Sequence, residues 1–321
     1  VDAIVIDPDD TSRVFAGSRD SIVVSFDGGT TWAKAGLDKV NVLALAINPL
    51  GPDTVYVGTD TVGVFRTYDG GTTWLQINTG LGSLRIIEVI VNPLNPDLVY
   101  AATTDAGVFR STDRGNTWFA ANNGLASLNM TSLGLASGNP SILYAGTNRG
   151  EVFKSSDNGI TWFDLTRNIP TVEVDAISVH PDSPNVVYAG MRGLTTAAVQ
   201  RLKQTGLDSV NFLITGPDPR GLSSADLDGD GLVDLIAANH ASNTLSVLLT
   251  RSSGALFDRR DYRAGDGPVD VAVTDLDLDG DLDIVSANRI KETISILFND
   301  ITGPPTKMST GSENTLFSLP V

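Results

Sequence analysis

The chain has no cysteine, which removes both a disulfide framework and a thiolate metal site. Basic residues are scarce: 22 Lys and Arg stand against 38 Asp and Glu, for a net charge of -16. That balance argues against nucleic acid or an anionic membrane surface as the partner, because both need a basic footprint. It suits divalent cations. No apolar run approaches the ~18 residues of a membrane-spanning helix. The sequence opens directly on a strand-like run at Val1 without a signal-peptide pattern, which reads as a mature or trimmed segment. Histidine is nearly absent; His180 and His240 each stand alone, as surface or packed residues do more often than catalysts. Tryptophan is rare too, but its placement is regular.

All four tryptophans close one eight-residue box: SFDGGTTW (25–32), TYDGGTTW (67–74), STDRGNTW (111–118) and SSDNGITW (155–162). The box aspartates, at 27, 69, 113 and 157, lie 42, 44 and 44 residues apart, the mark of stacked repeat units. A hydroxyl residue two positions before Asp, followed by Gly, is turn chemistry: Asp accepts backbone N–H groups and the fifth-position glycine can take positive φ. Each Trp then opens a strand, where burying about 150 to 250 Å² of indole is worth at most about 4 to 6 kcal/mol. This pattern pins a hairpin. It resembles the Asp-box (BNR) repeat of sialidases, sortilin-type receptors and xyloglucanase-type propellers, and the resemblance implies a structural device placed away from the active face.

Two further elements share the period. Runs ending Y-x-G or close to it place aromatics at Phe15, Tyr56, Tyr100, Tyr144 and Tyr188, and apolar runs closed by Pro precede them at 1–8, 43–49, 87–93 and 174–181. Short β-branched runs bounded by Gly, Pro, Asn and Asp are strands. Four of them per unit of ~42 residues make a propeller blade. After Arg192 the boxes give way to DLDGDGLVD (226–234) and DLDLDGDLD (275–283), a repeat at a lag of 49. The expected fold is therefore all-β, a single seven-bladed β-propeller of four-stranded antiparallel blades over residues 1–321. The blades fall near 1–40, 41–86, 87–130, 131–173, 174–220, 221–268 and 269–321, the fifth a hybrid of the two repeat types. Residues 303–314 carry the least pattern, and 315–321 are expected to supply the outer strand of the last blade; the ring then closes without a borrowed strand, or by a pairing of the terminus that the pattern does not show.

The acidic segments space their oxygens as D-x-D-x-D-G-x-x-D, with Gly at position 6 for the sharp turn, which is how one short loop wraps a hard cation needing six to eight oxygens. Asp226, Asp228, Asp230 and Asp234 supply the first set, with the carbonyl of Leu232 at position 7; Asp275, Asp277, Asp279, Asp281 and Asp283 supply the second. Crowded carboxylates repel by up to ~4 kcal/mol per pair at an effective dielectric of 20. With no Cys or His in either loop, softer metals are disfavoured. Two Ca²⁺ sites are the expectation. The loops resemble the FG-GAP/VCBS repeats of integrin-α-type propellers over roughly residues 205 to 300, and the resemblance implies Ca²⁺ between the first two strands of a blade.

In a four-stranded meander, loops after strands one and three share a face, so boxes and acidic loops are expected on the same side of the ring. The loops after strand two then bring Arg19, Asp60, Asp105, Arg149, Arg192, His240 and Arg289 to the opposite rim, where they could hold a sugar, a carboxylate or a peptide. These loops are short and leave little with which to build a deep pocket. Sialidase chemistry needs a Tyr nucleophile, and every tyrosine is committed to a strand or box. The leading expectation is an extracellular or cell-surface binding and scaffold module, calcium-stabilised, presenting a shallow polar face to carbohydrate or protein. One rival is a glycoside hydrolase or lyase using rim carboxylates such as Asp60 and Asp105; another is a structural segment of a larger surface protein or filament, with flanking domains or self-assembly. Asn129-Met-Thr131 is a lone glycosylation sequon.

Overall fold

Proline, glycine and asparagine turns cut the β-branched runs into strands of two to seven residues, and no helix occurs among the described residues. A computed structural model of the chain describes residues 1–166, 172–192, 198–203, 211–250, 258–299 and 315–318. The strands form seven antiparallel four-stranded sheets, each taken in sequence order. The innermost strands are Ala3–Ile6, Val42–Ile47, Ile86–Val91, Met130–Leu135, Val174–Val179, Pro219–Ala225 and Pro268–Thr274. Each touches the next, and the seventh touches the first, so the sheets close into a seven-bladed propeller. The unpatterned stretch 303–314 and the loop residues 193–196 lie outside the described residues. Thr315–Ser318 pairs with Thr293–Leu297 as the fourth strand of blade 7, so among the described residues no strand is exchanged between blades 1 and 7.

Second strands such as Val99–Thr103 and Asp234–Asn239 are buried at every position. They do not alternate because each lies in the middle of a sheet covered on both faces by neighbouring blades. The core is accordingly divided into seven apolar clusters, one per blade interface. The cluster at the closing seam joins Val1, Ile4 and Val14 of blade 1 to Leu276, Val285 and Ile296 of blade 7. Across that seam the backbone N–H of Ile4 also donates to Asp270 Oδ2 at 3.0 Å, and Arg289 pairs with Asp2.

In blades 1 to 4 the turn before the outer strand repeats one bonding scheme. The Thr67 hydroxyl donates to Asp69 Oδ1 at 2.6 Å and accepts the Gly71 N–H at 3.1 Å, while the Thr73 N–H and hydroxyl donate to the two Asp69 oxygens at 2.8 and 2.6 Å. Ser25, Ser111 and Ser155 do the same in the other three. The fifth-position glycines have φ of 78 to 93°. The tryptophan does more than pin its own hairpin. Trp74, Trp118 and Trp162 each donate Nε1–H to a carbonyl of the preceding blade, those of Ala35, Ile77 and Ala121, at 2.7 Å. Trp32, packed beside blade 7, donates within its own turn, to Gly29. Trp118 and Trp162 are buried and the other two half-buried, so the full burial gain applies to two of the four.

Candidate functional site: two acidic loops and a central funnel

The acidic loops link strands one and two of blades 6 and 7, on the same edge of the ring as the strand-three turns of blades 1 to 4. A Cβ on Gly28 of the first such turn would lie 3.7 Å from the carbonyl of Leu276 in the second acidic loop. Asp226, Asp228 and Asp234 each bring a carboxylate oxygen to within 4.8 Å of the other two, and Asp275, Asp277 and Asp283 do likewise. Asp230 and Asp279 stay outside these groups and accept the N–H of Leu232 and Asp281. Position 9 is the anchor. Asp234 is buried and accepts N–H bonds from Leu227 and Thr250, and Asp283 repeats this with Leu276 and Asn299.

Burial pushes the Asp234 carboxyl up to about 7 and that of Asp283 to about 6, against the pull of those backbone donors. Burial, then the neighbouring Asp230 and Asp279 charges, also raises Asp228 and Asp277. Asp226 Oδ1 is buried without a hydrogen-bond partner. Three converging carboxylates, one with an orphaned oxygen, form an oxygen-only donor set that fits a hard cation of the size of Ca²⁺.

On the other face the ring opens into a funnel of about 520 Å³. Of the rim residues expected from the strand-two loops, Arg19, Asp60, Arg192 and Arg289 line it. Asp105 and Arg149 are exposed outside it, and His240 is half-buried against Asp218, at 3.2 Å. Asp60 and Asp105 are thus not brought together in the cavity. The depth absent from the short loops comes from the channel between the inner strands, which makes the face a funnel rather than shallow.

Several lining residues escaped sequence reasoning because they lie on the connectors from strand four to the next blade and on the first turns of the inner strands. They are Asp2, Arg85, Glu88, Asp175, Arg220 and Asp270. A signal existed: VDAI occurs at 1–4 and 174–177, and both of its aspartates are ion-paired to arginine, Asp2 to Arg289 and Asp175 to Arg192 through two bonds of 2.6 and 2.7 Å. Arg85 pairs with Asp60 at 2.8 Å and Arg220 with Asp218 at 2.9 Å. Arg19 stands 4.0 Å from Glu292. Deeper in, Glu88 and Asp270 are half-buried and line the channel. Burial, then the charge of Asp270, pushes Glu88 up to about 8, and burial raises Asp270 as well.

A family model described as an FG-GAP-like repeat matches residues 226–286, the span that holds both acidic loops. No curated protein matches the chain. Among solved structures, an ancestral GH74 enzyme superposes with a TM-score of 0.72 at 16% identity, covering 94% of this chain and 45% of its own. YCF48 bound to D1 peptide gives 0.59 at 14%, covering 88% of each chain. Sqt1 of Chaetomium thermophilum, bound to the N-terminus of the ribosomal protein L10, gives 0.62 at 14%, covering 92% and 84%. The chain spans less than half the length of the GH74 enzyme, and at these identities the likeness is one of fold.

Proposed function

We propose that this chain is a rigid propeller scaffold, trimmed by two calcium ions, that binds a protein segment over the mouth of its funnel in an extracellular or cell-surface setting. The observation that carries this reading is the funnel: a polar cavity whose arginines are already held by carboxylates, a preorganised hydrogen-bonding surface rather than a nucleophile with its base. The bound partners of two fold neighbours, a peptide for YCF48 and a protein N-terminus for Sqt1, support a protein ligand over a sugar. The GH74 neighbour supports the propeller alone. In this reading the turns of blades 1 to 4 are Asp boxes, a structural device on the far face, and the acidic loops are calcium clasps that stiffen blades 6 and 7.

The test is selection of a random-sequence phage-displayed peptide library on the calcium-loaded protein, beside a glycan array. The expected result is enrichment of peptides whose binding is lost when the mouth is plugged by Thr104→Trp or Asn41→Trp, residues that line it. Glycan binding without peptide enrichment, or peptides indifferent to both plugs, overturns the reading.

A further inference from the structure

Taking the funnel as a protein-binding mouth, we infer that it receives a cationic side chain, an arginine on an extended peptide segment, and seats its guanidinium between Glu88 and Asp270. The inference rests on register. On six of the seven inner strands a bulge precedes one ladder residue, the one paired with the small residue near the end of strand two; the plain ladder of blade 1 gives its equivalent, Ala3 opposite Gly17. Around the ring that position reads Ala3, Ala44, Glu88, Ser132, Ala176, Gly221 and Asp270, and all seven line the funnel. Five are small and buried. The two that are not are carboxylates, on blades 3 and 7, across the axis from each other.

The charges above and below this layer differ. Nearer the mouth, Asp2, Asp60 and Asp175 are each paired with an arginine. One step deeper, Leu45, Leu133, Ile177 and Leu222 line the channel. Glu88 and Asp270 therefore sit between a charge-balanced mouth and an apolar floor, with only backbone N–H groups as partners: Ile4 and Val271 for Asp270, and Val89 for Glu88. Two carboxylates lining one confined channel repel, and a cation between them removes the cost. The planar guanidinium, with five N–H donors in a fork, can reach carboxylates on both sides, whereas the compact ammonium of lysine satisfies such a pair less fully. The rise of Glu88 to about 8 fits a group short of a cation.

The experiment titrates the ¹⁵N-labelled protein with acetylated, amidated pentapeptides Gly-Gly-X-Gly-Gly, where X is Arg, Lys, Gln or Glu. Calcium held at about 20 mM keeps the acidic loops and simple divalent-ion binding near saturation throughout. Expected are shifts in amides of the inner strands, with the Arg peptide at least tenfold tighter than the Gln peptide and Lys in between. Glu88→Gln and Asp270→Asn, which keep shape and the Ile4 bond, each weaken the Arg peptide at least fivefold while melting no lower than the wild type, and Glu88→Asp retains binding. Equal binding of the Gln or Glu peptide, or undiminished binding by the double variant, overturns the inference. Should the phage library instead enrich plug-sensitive peptides without Arg or Lys, the funnel stands as a protein site and this inference falls alone.

Discussion

Leu278 holds a left-handed backbone, φ 63°, at the fourth position of the second acidic loop, where the first loop has Gly229 at φ 69°. A branched side chain there costs about 1 to 2 kcal/mol, partly offset in any glycine replacement by the entropy that glycine loses on folding. The Leu278 side chain is 78% exposed, so removing it forfeits little burial. Leu278→Gly is expected to raise stability by up to about 1 kcal/mol and Gly229→Ala to lower it by a similar amount, both read as urea midpoints in excess calcium. Residue-level chemistry of this kind was largely legible in the sequence. The side chains of Ser25 and Asp27 bond within their own turn, to groups two and four residues away, so the pattern carries its own geometry. The acidic loops were legible for the same reason. What the spacing did not give was the division of labour, with Asp234 and Asp283 spending both oxygens on backbone donors while Asp230 and Asp279 stay apart from the converging three.

Blades lock to one another through backbone as well as through apolar surface. Gly80, at φ 94°, lies so close to the next blade that a Cβ would stand 2.1 Å from the carbonyl oxygen of Trp118, and Gly124 repeats this against Trp162. Neither contact has a flexible side chain that could move aside. Gly80→Ala and Gly124→Ala are each expected to lose more than about 2 kcal/mol, by clash and left-handed strain together, measured by denaturation; a loss within experimental error would mean that the seam is looser than described. The sequence held a trace of these glycines, GL at 36–37, 80–81 and 124–125, but their purpose is a contact some 40 residues onward that no local pattern records. The acidic loops act within blades 6 and 7, so calcium should matter there and little elsewhere. Chelation is expected to lower stability by about 0.4 to 1.4 kcal/mol per site relative to ~1 mM calcium. Asp226→Ala with Asp275→Ala should abolish that response, which a calorimetric scan with and without chelator reads directly.

Closure of the ring puts residues far apart in sequence into one layer, and the funnel was therefore the part least legible beforehand. Glu88 and Asp270 belong to different repeat dialects, and only the seventh blade meeting the first sets them across one channel. The strand-two loops supplied Arg19, Asp60, Arg192 and Arg289, but not Arg85, Asp175 and Asp2, the partners of the last three, which lie at or just before the start of inner strands. The half-buried pair has a consequence for the whole fold. Burial, then Asp270, moves Glu88 from 4.5 to about 8, so between those values the folded protein holds a proton that the unfolded chain releases. Stability from this group therefore falls as pH rises across that window, the reverse of a salt-bridged carboxylate. Asp234 and Asp283, also raised, add the same sign in the calcium-free protein but cancel between variants that share them. Glu88→Gln removes the Glu88 contribution and is expected to melt with the wild type near pH 4.5 and a few degrees above it at pH 8, since 1 kcal/mol moves the midpoint of a domain this size by about 2 °C. Coincident melting curves at both pH values would mean that Glu88 ionises as it does in water, and that the layer it shares with Asp270 is hydrated rather than enclosed.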